Sequence, residues 1–383
     1  MAPTKLYVVF ACIAVRVRAC STGFDCSLNG VCTSNSCVCD SPWVGPACGT
    51  LQYAVTPASG KNLWTGSENL NTWNGPILQG GDGLYHLYDP VYEHASLWKV
   101  IYYAHGTSSS PTGPFEFTSE ANISSTTINP AGLVYPGASA GSSVYSLWIG
   151  ADILISSSAD GPFVQTYKSP LGSNPAPTYS AGKFYVTDQG TTKLYETTAL
   201  DQPWVLVGNI THPSLPYTVE DPFLYVDNRG AFHVINHAYN TNQKVNCSSS
   251  HVSSHFFSSD GKTWGWSDAP YGHTVEFDDG TSHSYCTLER PNLVFNAAGF
   301  ISHIHFAVSS SSFDHHLSLH TSLPPPLTEL PINTPSFLSI RKADLVTGDE
   351  GCTKTQNPNT GCVHHCAKLP PADNLTPIPS LTR

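Results

Sequence analysis

Thr218-Val219-Glu220-Asp221-Pro222-Phe223-Leu224-Tyr225 places a carboxylate pair, a proline and an apolar run in one stretch. A turn, Val226-Asp227-Asn228-Arg229-Gly230, follows it, and a second strand-like run extends from Ala231 to His237. Four other stretches repeat the phrase. Asn74-Gly75-Pro76-Ile77-Leu78 leads through Gly83 to Leu84-Tyr85-His86-Leu87-Tyr88, and Asn129-Pro130-Ala131-Gly132-Leu133-Val134 leads to Val144-Tyr145-Ser146-Leu147-Trp148-Ile149. Asn174-Pro175-Ala176-Pro177 leads through Gly182 to Phe184-Tyr185-Val186, and Glu289-Arg290-Pro291-Asn292-Leu293 leads through Gly299 to Phe300-Ile301. The prolines at 76, 130, 175, 222 and 291 are spaced by 54, 45, 47 and 69 residues. Short strands recurring every ~50 residues predict an all-β, five-bladed β-propeller. Proline has no N–H to give a ladder, so it suits the first residue of a strand. With these strands lining a central channel, the residues before each proline converge: Asn74 or Gly75, Asn129, Asn174, Glu220 with Asp221, and Glu289 with Arg290.

Composition agrees with a β-rich extracellular protein. Only 12% of the 383 residues are charged and 11% are aromatic. The formal net charge is −11 and no basic patch is present, which argues against nucleic acid as a partner. Met1 to Ala19 reads as a signal peptide: Lys5, an apolar run from Leu6 to Val15, and Val-Arg-Ala before Cys20. That run is too short to cross a bilayer, no later stretch is longer, and a secreted location is expected. Sequons at Asn122, Asn209, Asn246 and Asn374 mark candidate glycosylation sites.

Cys20, Cys26, Cys32, Cys37, Cys39 and Cys48 form a dense cluster in a segment too small to bury a core, so disulfides must replace one. The spacing over 20–49, with Gly45 ahead of the last cysteine, resembles an EGF-like module. The resemblance implies the pairs Cys20–Cys32, Cys26–Cys37 and Cys39–Cys48, and a spacer or docking role. Cys247 and Cys286 flank a later insertion and are candidates for a further bridge.

The repeat region runs from 51 to about 345, and a tail holding Cys352, Cys362 and Cys366 occupies 346–383. Ser108-Ser109-Ser110-Pro111-Thr112-Gly113-Pro114-Phe115 is echoed at Ser156-Ser157-Ser158-Ala159-Asp160-Gly161-Pro162-Phe163. These are turns between outer strands: Gly and Pro set the bend and the aromatic packs back. Blades are expected at roughly 72–118, 125–168, 171–208, 216–270 and 286–345, with Leu51 to Thr72 adding an outer strand that closes the ring.

The repeat region resembles the five-bladed propeller superfamily that includes glycoside hydrolase families 43, 32 and 68, and most of all its uncharacterised glycosidase-like members. The Gly-Pro-Phe turns and Glu220-Asp221-Pro222-Phe223-Leu224 carry the resemblance. It implies a secreted carbohydrate-active protein that cleaves glycosidic bonds, with Glu220 as general acid and an oligo- or polysaccharide of cell wall or matrix as partner. No cofactor is implied, and no Cys/His spacing reads as a zinc site.

The departures are specific. The family places an Asp before the first blade's proline as base or nucleophile, where this chain has Gly75 after Asn74. Asn129 and Asn174 stand where a second Asp would tune the acid. Two carboxylates are the usual requirement for glycoside hydrolysis. Asp221 completes the candidate catalytic pair, although neighbours on an extended chain point to opposite faces and Asp221 then reads as a strand cap. Glu289 is a further channel carboxylate, Asp82, Asp89 and Asp188 are unplaced, and His86 or His105 could stand in as base. Asn74, His105, Asn129, Asn174 and Arg290 are the candidate substrate contacts. The competing expectation is a glycan-binding or adhesion protein on a propeller that has lost its catalytic carboxylates, motivated by Gly75, Asn129, Asn174 and the EGF-like module.

Overall fold

The computed structural model describes residues 19–53, 70–93, 100–121, 123, 129–210, 215, 217–240, 247, 249–277, 280–309 and 316–322. All but Ala19 of the stretch expected to be a signal peptide, the sequons at Asn122, Asn246 and Asn374, and the tail with Cys352, Cys362 and Cys366 lie outside the described residues.

The described residues are all-β, apart from a short 3-10 turn at Gly23–Cys26. Among the described residues, five antiparallel sheets of three or more strands follow in sequence order. The first holds Leu70–Thr72, Ile77–Gln79, Tyr85–Glu93, Val100–Ser108 and Glu116–Ala121. The second (Pro130–Pro136 to Val164–Lys168), third (Ala176–Ser180 to Val205–Asn209) and fourth (Thr218–Val226 to Gly265–Asp268) are four-stranded meanders. The fifth shows three strands among the described residues: Thr287–Phe295, Ile301–Ser309 and His316–Ser322. Leu70–Thr72 pairs with Val91 to Glu93 on the inner side of the second strand, in line with Ile77–Gln79. It is thus an inner continuation, not the outer strand expected: the backbone bends at Asn74 and Gly75 and re-pairs with the same neighbour.

Burial is lowest in the outermost strands. Ser253–Ser258 is buried throughout, whereas the outermost strands Glu116–Ala121 and Val164–Lys168 are mostly exposed. Polar and charged residues on those edges discourage pairing with another chain. Both Gly-Pro-Phe turns form as expected. Gly113 and Gly161 sit at φ +78° and +85°, where a side chain is disfavoured, and Phe115 and Phe163 fold back into buried positions.

Two blades carry the same buried relay, which sequence reading missed. In the first, His86 meets Asp82 at 3.2 Å and His105 at 3.1 Å, and His105 Nδ1 lies 3.0 Å from Thr118 Oγ1. In the fourth, His233 lies 3.5 Å from Asp227 and 3.0 Å from His255, whose Nδ1 is 3.4 Å from Ser267 Oγ. Each relay joins a turn Asp to three successive strands, and a tyrosine stacks on it: Tyr88 on His105 and Tyr225 on His233. Burial, and then the neighbouring His86, pulls His105 down to about 4; burial likewise lowers His233 and His255. A depressed histidine holds its proton less tightly folded than unfolded. Stability is therefore complete above the ordinary value near 6.5 and falls as pH drops toward 4. His105 alone should cost up to about 3 kcal/mol over that window. In thermal melts from pH 7 down to 4, His105→Gln should lose less stability than wild type; equal pH slopes in the two proteins would refute it.

The EGF-like module forms the three implied disulfides, and Cys247 pairs with Cys286. It is packed onto its own propeller, so it is no free spacer. Cys26, Trp43, Cys48 and Leu51 share one core with Tyr225 and Tyr271 of the fourth-blade region and Leu293 and Phe306 of the fifth blade. Trp43 stacks on His255 at 4.9 Å, Phe24 meets Phe257 edge-on at 5.0 Å, and Arg229 pairs with Asp40 at 2.7 Å.

Candidate active site

Four of the five inner strands carry an unusual backbone step beside their proline. Asn74, Asn174, Asp221 and Arg290 all adopt positive φ, at 45°, 41°, 53° and 51°. Asn and Asp tolerate this region, whereas Arg does so at a cost of roughly 1–3 kcal/mol. At Asp221 and Arg290 the step is also a bulge, with register shifting between Glu220 and Phe223 and between Glu289 and Asn292. The consequence corrects the strand-cap reading of Asp221. Its left-handed backbone breaks the alternation, and the Glu220 and Asp221 carboxylates approach each other.

The residues before the prolines meet at the axis. Asn129 Nδ2 donates to Asn174 Oδ1 at 2.6 Å and Asn174 Nδ2 to Asp221 Oδ1 at 2.6 Å. Arg290 stands 3.7 Å from the same Asp221 oxygen and donates to the Pro130 carbonyl at 2.6 Å. Asn74 Nδ2 donates to the Arg290 carbonyl at 2.6 Å, which joins the first blade to the last. All five are buried, from 0% exposure at Asn74 to 9% at Asn129. They form a polar plug to which every blade contributes one side chain. Of the candidate substrate contacts, Asn74, Asn129, Asn174 and Arg290 are therefore brought together, held mainly by one another. His105 is not with them; it is occupied in the first-blade relay, as is His86.

Gly75 is required by its surroundings. A Cβ there would stand 1.8 Å from the Tyr88 carbonyl oxygen, so no Asp fits without moving the strand. Asp89, one of the unplaced carboxylates, accepts the Trp73 and Gly75 N–H groups at 3.2 and 3.0 Å and is structural. Asp82 belongs to the first relay, and Asp188 is half-buried beside Gln189.

Adjoining the plug, Glu220, Asp221, Glu289 and His237 each bring one oxygen or nitrogen within 4.8 Å of the others. His237 was not singled out in the sequence. Counting back from the Asp227–Gly230 turn without a bulge would set it opposite Asp221; the bulge sets it opposite Glu220. Its Nδ1 is 3.6 Å from Glu220 Oε1, and Gln189 Nε2 donates to Glu220 Oε2 at 3.2 Å. Burial works against the charge on His237, but Glu289, Glu220 and Asp221 outweigh it and raise its pKa. Glu289 is raised to about 7, first by burial and then by Asp221 and Glu220, against the pull of His237. One carboxyl of the cluster is thus held near its protonation midpoint at neutrality, the condition suited to proton transfer.

The axial cavity, about 220 Å³, is lined by residues that follow the plug on all five inner strands, among them Ile77, Leu133, Thr178, Phe223 and Leu293. Glu220 and Glu289 precede the plug in strand order and do not line this cavity.

Comparison with known proteins follows the same division of the chain. Residues 22–50 match the Teneurin-like EGF domain family. The chain is similar in structure to the α-L-arabinofuranosidase from Podospora anserina solved with cellotriose, at 11% identity, 72% of this chain and 98% of that one, and TM-score 0.50. The fold is a β-propeller. Four of its blades have four or more strands and the fifth has three among the described residues. Other similar structures are a family 117 glycoside hydrolase from Zobellia galactanivorans (11% identity, 72% and 90% covered, TM-score 0.47) and an endo-arabinase from Bacteroides thetaiotaomicron (12%, 72% and 98%, 0.44). No curated protein matches the chain.

Proposed function

We propose that this protein is a secreted glycoside hydrolase acting on an extracellular oligo- or polysaccharide, with Glu220 and Glu289 as its reactive carboxyls. The observation that carries this reading is the cluster itself: three carboxylates and a histidine within 4.8 Å, with Glu289 raised to about 7. Two carboxyl groups close together are what two-carboxylate glycoside hydrolysis requires. The resemblance made Glu220 the general acid, but the environment favours Glu289 as proton donor. Glu289 would protonate the glycosidic oxygen as its bond to the sugar breaks, and the Glu220 carboxylate would attack the anomeric carbon. Water, deprotonated by the Glu289 carboxylate, would then release the sugar from Glu220. Gln189 and His237 would orient Glu220, and the plug would fix Asp221 as a standing negative charge. This scheme needs no cofactor. Four disulfides suit an oxidising, extracellular setting.

A second reading, glycan binding without turnover, is favoured by Gly75, the asparagines at 74, 129 and 174, and the 4% exposure of both Glu220 and Glu289. Incubation with plant, algal and fungal oligosaccharides separates the two. Product from wild type, lost in Glu220→Gln, supports hydrolysis. Saturable binding without product, unaffected by Glu220→Gln, supports the second reading.

A further inference from the structure

A second cavity, about 220 Å³, lies in the seam between the EGF-like module and the fourth and fifth blades. One side of it is aromatic and rigid. Trp43 is held by stacking on His255, Tyr225 by stacking on His233, and Phe295 packs 5.4 Å from Tyr225. Half-buried Phe300 extends this wall toward solvent.

The other side is polar and rich in acceptors. Arg229 is held between Asp40 at 2.7 Å and Asp227 at 3.1 Å, so one negative charge is left over. Asn29 and Asn228 each give one amide N–H, to the Cys48 and Ala298 carbonyls, and each amide carries a second N–H and an Oδ1 acceptor. What this lining offers a ligand is several oxygen acceptors with a few N–H donors among them, facing an apolar wall.

An uncharged molecule with several hydroxyl donors and a C–H face matches that arrangement, and excess carboxylate disfavours an anion. The volume falls below the roughly 300–1,000 Å³ of pockets for drug-sized ligands, which suits one sugar ring and not a chain. We propose that the seam binds a single neutral sugar residue, making the EGF-like module half of a glycan-holding site separate from the carboxylate cluster. Neither the module nor the propeller alone supplies both walls. This site does not depend on whether Glu220 is catalytic.

Ligand-observed NMR on the whole protein tests it, with glucose, galactose, arabinose and xylose as probes and galacturonate as the acidic control. At least one neutral sugar should bind saturably in the millimolar range and galacturonate should not. Ser41→Tyr, which fills the cavity, should abolish the signal, and Phe300→Ser should weaken it about tenfold. Glu220→Gln should leave it intact. Thermal melts establish that each variant is folded, and either of the two seam variants suffices. No neutral sugar bound by wild type, binding that survives both seam variants, or binding lost in Glu220→Gln would each overturn the proposal.

Discussion

Arg290→Met should destabilise the protein by about 3–5 kcal/mol, the usual cost of removing one partner of a buried ion pair. Arg290 is 6% exposed, and its removal would leave the Asp221 carboxylate, at 4% exposure, without its guanidinium partner. The Pro130 carbonyl would lose its donor as well. Methionine keeps similar bulk and meets the same positive φ, so the change removes the guanidinium charge and its hydrogen bonds without emptying the site. Adding Asp221→Asn removes the stranded carboxylate, and the double variant should recover part of the loss, with a coupling of roughly 0.5–3 kcal/mol. Urea denaturation of the four proteins measures this. A loss below about 1 kcal/mol in Arg290→Met would mean that the plug does not hold the blades together.

Glu289→Gln should lower the hydrolytic rate by about 10²–10⁴, the usual contribution of a positioned proton donor. In wild type the rate should fall as pH rises through about 7, where Glu289 loses the proton it must give. The same substitution should stabilise the fold at alkaline pH. Glu289 is raised from 4.5 to about 7, so between those values the unfolded chain has released a proton that the folded chain retains. Stability is complete below 4.5 and declines as pH rises, by up to about 3 kcal/mol above 7. Glutamine cannot ionise and escapes that cost, less whatever His237 loses with its carboxylate neighbour. Activity lost together with stability gained is the signature of a site strained for function. If Glu289→Gln is instead active and less stable across the pH range, Glu289 is a structural residue and the proposed acid is wrong.

The architecture was legible where local chemistry repeats. Five prolines at ~50-residue spacing located all five inner strands, because proline is tolerated at a strand's first residue and at a bulge, as at Pro222 and Pro291, whose strands shift register between Glu220 and Phe223 and between Glu289 and Asn292. The serine-rich Gly-Pro-Phe turns formed as expected for the same reason: their hydrogen bonds and φ preferences are local. The convergence of Asn74, Asn129, Asn174, Asp221 and Arg290 followed from those positions too. His105 was misplaced because a lone histidine carries no sign of its partners; only strand pairing shows that it faces His86 and Thr118.

Sequence by itself determined the number of repeats, the clustering of the first six cysteines and the set of residues beside the five prolines, since each depends on neighbours along the chain. The tertiary structure alone decided what those residues face. One bulged, left-handed residue at Asp221 turned a carboxylate expected to point away into a member of a cluster, and moved His237 against Glu220. It also showed that Gly75 has no room for an acid and that the EGF-like module is a wall of the propeller. A bulge displaces register by one residue, and in a strand one residue exchanges one face for the other, so no count along the chain could have supplied those contacts.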